Sequence, residues 1–169
     1  MSSRQSNSRA KLPFSLAVCG LDELDRMVPK ISPTHVISIT DPGDDEVEFE
    51  GVSTLLRLAF HDVHAAGGLV SKLLIGRGDG DLPCIDHAQA ILDFGQQIPA
   101  KARVLVHCGA GVSRSTAAAY LLLCMNKPGA EMQAYQLLRV LRPQARPNRL
   151  IVKFGDKLLG AEGRMLACL

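Results

Sequence analysis

The sequence predicts an α/β fold: a single domain with a largely parallel central sheet flanked by helices. Three observations carry that reading. Short apolar runs rich in β-branched residues alternate with segments of helical period. The run RVLVHC, Arg103 to Cys108, is almost continuously apolar, as in a strand covered on both faces. No internal repeat or low-complexity tract divides the 169 residues, a length that suits one domain with a substantial core.

Taken in order, MSSRQSNSRAK reads as a mobile polar leader over 1–11, ahead of a domain spanning 12–160 and a tail over 161–169. Phe14 to Val18 and His35 to Thr40 are expected strands, separated by LDELDRMVPK, a short helix ending near Pro29. The acidic, turn-rich TDPGDDEVEFEG is a surface loop, and Leu55 to Phe60 is a third strand that runs into His61 and Asp62. From Ala65 to Pro83 the glycine-rich chain has no clear period, so a long loop is expected, and such loops often serve function. A helix then begins near Pro83, with Ile85, Ala88, Ile91, Leu92 and Gly95 on one face, and Pro99 ends it. After the RVLVHC strand come helices over Ser115 to Cys124, AEMQAYQLLRVL and NRLIVKFGDKLL, the last two separated by Pro143 and Pro147.

Composition bounds the function classes. Hydrophobic residues make up 47% and charged residues 21%, with a net charge of +2, which advertises neither nucleic acid nor a membrane as partner. No apolar stretch approaches the roughly 20 residues of a membrane span. The five cysteines are scattered without a CxxC pair, which points to reduced thiols, a cytoplasmic location and no structural zinc. His61 and His64 flank Asp62 without a third ligand at metal spacing, so no metal and no cofactor are expected. A monomer is the default.

The chemistry concentrates in VHCGAGVSRS, Val106 to Ser115. In a parallel sheet ligands bind beyond the carboxyl ends of the strands, and Cys108 sits at such an end. A loop of Gly109, Ala110, Gly111, Val112 and Ser113 leading into a helix directs consecutive backbone N–H groups inward and adds the positive helix end, which makes an anion cradle. Gly109 and Gly111 permit the positive φ and close approach this needs, and Ala110 leaves the floor uncluttered. Arg114 supplies a planar fork for two phosphate oxygens. The same positive field favours the thiolate of Cys108 and makes it a nucleophile.

These residues resemble the cysteine-dependent protein tyrosine phosphatase superfamily, whose signature HCxxGxxR followed by Ser or Thr is matched by His107, Cys108, Gly111, Arg114 and Ser115. VLVHCGAGVSRSTAAAYLL resembles the dual-specificity branch in particular, and LRLAFHDV and ARPNRL resemble flanking segments, so the likeness covers Leu12 to about Gly160. The alanine-, leucine- and arginine-rich composition suggests a bacterial member. The resemblance implies metal-independent hydrolysis of a phosphate monoester through a phosphocysteine, with Ser115 donating to the sulfur as it leaves, His107 supporting the loop and Asn148 buttressing the site. It also implies an upstream aspartate as general acid. Asp62 matches the strand-then-Asp pattern, although its distance in sequence from Cys108 is long for compact dual-specificity enzymes, and Asp79 or Asp81 stand as alternatives.

The expected substrate is a phosphorylated protein or a small phosphate monoester, since the uncharged loop adds no lysine for a polyanion. A phosphatase for a nonprotein phosphate (phosphoinositide, nucleotide or RNA 5′ end) is the second reading, and a phosphate-binding module ranks last. The basic run RVLRPQARPNR reads as a solvated helix end, Cys124 as core, and Cys19 and Cys84 as thiols with a remote prospect of trapping an oxidised Cys108.

Overall fold

Why the four strands lie parallel follows from the chain between them: each is joined to the next by a crossover rather than a tight hairpin. In the computed structural model, which describes residues 12–63 and 82–169, they are β1 (Ser15–Gly20), β2 (His35–Thr40), β3 (Thr54–Ala59) and β4 (Arg103–Cys108). Their order is β1-β4-β2-β3, and every pairing is parallel. Strand β4 lies inside the sheet, paired to β1 on one side and β2 on the other, which explains its near-continuous apolar sequence.

Side-chain alternation along β4 divides the core. Val104, Val106 and Cys108 face the larger apolar cluster, together with Ile37 and Ile39 of β2. This face is covered by α2 (Ile85–Gln96), α3 (Arg114–Asn126) and α5 (Arg149–Leu158), and α4 (Glu131–Leu141) packs on α3. Leu105 faces the other way, into a smaller cluster with Cys19, Val36 and Leu24, beneath the short α1 (Leu24–Ile31). Val47 and Phe49 of the acidic loop complete that second cover. The loop expected to lie on the surface therefore has a partly buried apolar underside, while Asp44, Asp45, Glu46, Glu48 and Glu50 are exposed.

Helix α3 is buried on all sides from Arg114 to Cys124, which accounts for its alanine- and leucine-rich composition and lack of a polar face. Gly155 of α5 lets that helix approach closely, because a Cβ there would lie 2.6 Å from Leu121 Cγ. The helix expected to end near Pro29 instead opens with a 3-10 turn (Leu21–Glu23) and runs to Ile31. Pro29 is exposed, and the chain leaves the helix at Ser32, whose φ is 47°. The third strand begins and ends one residue earlier than expected. The tail beyond Gly160 packs onto the domain: it forms α6 (Arg164–Ala167), whose Met165 is 0% exposed. The leader, His64, the glycine-rich stretch from Ala65, Asp79 and Asp81 fall outside the described residues.

Candidate active site

Cys108 closes β4 and is 2% exposed. Among the described residues two groups meet its sulfur. The backbone N–H of Gly111 donates to Sγ at 3.3 Å, and the thiol donates to Ser115 Oγ at 3.2 Å.

The loop is shaped from outside. The Gly109 carbonyl accepts from the Leu21 N–H at 2.8 Å, and Val112 and Ser113 accept from the N–H groups of Arg146 (2.8 Å) and Asn148 (3.2 Å). Arg142 covers the middle, donating through Nε to Gly111 O at 2.9 Å and through Nη2 to Ala110 O at 3.4 Å. Because a trans peptide points its C=O and the following N–H in opposite directions, fixing these carbonyls outward turns the N–H groups of 110–114 inward. Inward N–H groups are the geometry an anion cradle requires, and their cause lies in segments remote from the loop. Arg142 is itself held by Glu23, which accepts from Nη1 at 3.0 Å and from Nη2 at 2.6 Å, and Glu23 also accepts from the Gly20 N–H at 2.7 Å.

Only one loop glycine is conformationally required. Gly111 has φ 67°, and a Cβ on it would lie 2.3 Å from Gly20 N and 2.4 Å from Cys19 C. Gly109 does not take positive φ among the described residues, and a Cβ there would meet Arg114 Nη2 at an ordinary 3.6 Å. The expectation that both glycines are needed for backbone freedom is corrected accordingly.

Arg114 begins α3, and its guanidinium reaches the residues that follow β2 and β3. Nη1 donates to Asp41 Oδ1 at 3.2 Å and to Phe60 O at 2.8 Å, and Nη2 donates to Asp41 Oδ2 at 3.2 Å. Its Nε is buried and has no acceptor among the described residues. Asp62 lies on the other side of the loop, where Oδ1 accepts from Ser113 Oγ at 2.6 Å and from Asn148 Nδ2 at 2.8 Å. Asn148 is fully buried and uses its whole amide: Nδ2 also donates to Val63 O at 3.0 Å, while Oδ1 caps α5 by accepting from the N–H groups of Leu150 and Ile151.

No family model matches the chain, and no curated protein is similar enough in sequence to count as a relative. Solved structures do match. DUSP15 is 19% identical, with 92% of this chain and 88% of that chain covered at a TM-score of 0.60. The Yvh1 phosphatase domain from Chaetomium thermophilum is 20% identical, with 92% and 95% covered at 0.58. A human tyrosine phosphatase-like serine/threonine/tyrosine-interacting protein is 19% identical, with 89% and 94% covered at 0.54. The fold is that of the dual-specificity phosphatases.

On this dual-specificity phosphatase fold the motif residues converge: Cys108, Gly111, Arg114 and Ser115 meet around the cradle, and Asp62 reaches it through Ser113. His107 precedes Cys108 on β4. It faces the opposite side of β4, with Nε2 2.8 Å from Ser38 Oγ on β2 and its ring 5.5 Å from Phe49. The backbone of Cys108, where the loop begins, also acts on the ring. Burial pushes its pKa down to about 4, so it stays neutral.

Two participants escaped the sequence reading. Arg142, expected on a solvated helix end, is buried against the loop, and Asp41, expected in a turn, pairs with Arg114. In hindsight the Asp-Pro turn at the carboxyl end of a strand was a signal for Asp41, because that edge of the sheet carries the site. Cys124 is core, and burial drives Cys19 up to about 12, so it is not a thiolate at neutral pH. Cys84 caps α2 beside His87 Nδ1, 3.3 Å away. Among the described residues no group of three His, Cys, Asp or Glu is placed to hold a metal, and no helix is long and apolar enough to cross a membrane.

Proposed function

We propose that the chain is a metal-independent phosphate monoester hydrolase working through a phosphocysteine, and that its substrates are phosphotyrosine and phosphoserine or phosphothreonine in proteins. The observation that carries this reading is a cysteine sulfur at the floor of inward N–H groups, beside an arginine whose buried Nε lacks an acceptor. Such an arrangement binds a phosphate dianion and favours the thiolate beneath it.

Cys108 Sγ attacks phosphorus; the S–P bond forms as the P–O bond to the leaving group breaks. Asp62 delivers its proton to the departing oxygen. Water then attacks phosphorus, the S–P bond breaks, the electron pair returns to sulfur, and the water proton passes to Asp62. Ser115 assists the second step, since its hydroxyl can rotate to donate to the departing thiolate. Gly109, Ala110, Val112 and Ser113 carry no charge, which suits a single monoester rather than a polyanion. The five free cysteines accord with a cytoplasmic setting.

The test is hydrolysis of an aryl phosphate by purified protein in EDTA. Turnover should persist in the wild type, vanish in Cys108→Ser and fall about a hundredfold in Asp62→Asn, within the usual range for proton transfer. An inactive wild type that still binds vanadate would make the protein a phosphate-binding module instead. Full activity in Asp62→Asn would move the acid role to Asp79 or Asp81.

A further inference from the structure

Among the described residues three large hydrophobic side chains stay exposed: Leu21 at 50%, and Met132 and Val140 on α4. An exposed leucine is ordinary in itself. What distinguishes Leu21 is its seat. Its N–H donates to Gly109 O at 2.8 Å, so it stands directly beside the first residue of the phosphate loop. The preceding Gly20 is pressed against the same loop: a Cβ on it would lie 3.1 Å from the Ala110 carbonyl, and one on Gly111 would lie 2.3 Å from Gly20 N. Gly109 and Ala110 are exposed and carry nothing larger than a methyl, so the loop itself leaves the leucine uncovered.

From this placement we propose that Leu21 is a specificity-determining residue: with the Ala110 methyl it forms an apolar shelf at the rim of the cradle, which takes a bulky apolar side chain next to the phosphorylated residue of a protein substrate. This rests on the phosphatase reading above and narrows its substrate class. The shelf lies beside the phosphate rather than over it, because Gly109 O points out of the cradle and Leu21 stands a hydrogen bond beyond that oxygen. The phosphorylated side chain enters over the inward N–H groups, so what reaches Leu21 belongs to a neighbouring residue. Successive residues of an extended peptide are about 3.3 Å apart, and one or two of them bridge that gap. The shelf is also held still. Leu21 opens the 3-10 turn whose Glu23 accepts from the Gly20 N–H at 2.7 Å and from Arg142 Nη1 at 3.0 Å, so little freedom is lost when substrate covers it. Asp22 sharpens the choice. Its Oδ1 folds back to 2.8 Å from the place a Cβ on Gly20 would take, which sets a carboxylate against an acidic neighbour in the substrate.

The experiment measures kcat/KM of the full chain on phosphotyrosine peptides that carry Leu, Ser or Glu in turn at each of the two positions on either side of the phosphotyrosine. At one of these positions wild type should prefer Leu over Ser about tenfold, the worth of covering the exposed half of a leucine, and should take Glu least. The preference should sit in KM, since the shelf touches no reacting atom. In Leu21→Ala the ratio of Leu to Ser should fall to within twofold of one, and Leu21→Met should keep it. Met132→Ala, at the end of α4 about 15 Å from Arg142, should leave it unmoved.

A wild type with no Leu preference above twofold at any of the four positions overturns the proposal. So does a preference that survives Leu21→Ala, or a Glu peptide cleaved as well as the Leu peptide. A readout independent of turnover is fluorescence anisotropy of the preferred Leu peptide on Cys108→Ser, where adding Leu21→Ala should weaken binding about tenfold; equal affinities are just as fatal. Failure of the phosphatase reading itself looks different: no cysteine-dependent turnover on any peptide or on an aryl phosphate. Should Leu21→Ala not fold, Leu21→Gln decides, and a Leu preference retained in it overturns the proposal.

Discussion

Gly109 and Gly111 look interchangeable in the motif, yet the structure separates them. An alanine at 111 would have to adopt φ 67° and push its Cβ into the backbone of Cys19 and Gly20, whereas at 109 it meets only ordinary contact. Gly111→Ala is expected to lose about 2 to 4 kcal/mol, the sum of a left-handed residue and an overpacked contact, and nearly all turnover. Gly109→Ala should stay within about 0.5 kcal/mol of wild type. Urea unfolding of the two variants checks this, and equal losses would refute the distinction. At this scale the motif made Cys108, Arg114 and Ser115 legible, because their spacing is set by the local turn itself. Asp41 and Arg142 were not legible, since their partners lie 73 and 119 residues away in the chain.

At the scale of elements, the loop over 109–113 is held in shape by its neighbours: the start of the 3-10 turn, the end of α4 and the cap of α5 each take one or two of its outward carbonyls or brace what does. The Glu23–Arg142 pair is the charged part of that brace. Hydrogen bonding from Arg142 and from the Gly20 N–H holds the Glu23 carboxyl below its ordinary value of 4.5. A depressed carboxylate stabilises the folded state fully above its unfolded value. That contribution disappears as pH falls through the lower folded one. The melting temperature should therefore fall with acid below about pH 4.5 more steeply in wild type than in Glu23→Gln. Parallel profiles in a thermal melt series would show that the pair is irrelevant to stability. Since the brace sets the inward direction of the N–H groups, Glu23→Gln should also weaken vanadate inhibition at neutral pH, measured as a rise in Ki of about tenfold, near 1.4 kcal/mol.

For the whole molecule, the C-terminal residues are part of the core. Met165 is fully buried, and the buried Asp156 spends its carboxylate on the N–H groups of Gly163 (2.7 Å) and Met165 (3.0 Å). Ending the chain after Gly160 should therefore cost at least about 3 kcal/mol, from one lost core side chain and a buried carboxylate without donors. A urea midpoint unchanged by the truncation would show that α6 is merely tethered.

The sequence by itself determined the alternation of strands and helices, the parallel sheet, and the loop that carries Cys108, because each depends on local period and local turn chemistry. It also placed the site at the carboxyl edge of the sheet. Only the tertiary structure decided which carboxylate grips Arg114, which arginine fixes the loop carbonyls, that His107 bonds across to Ser38, and that the tail joins the core. Those are contacts between segments far apart in the chain, and their geometry exists only once the strands have set their order and register.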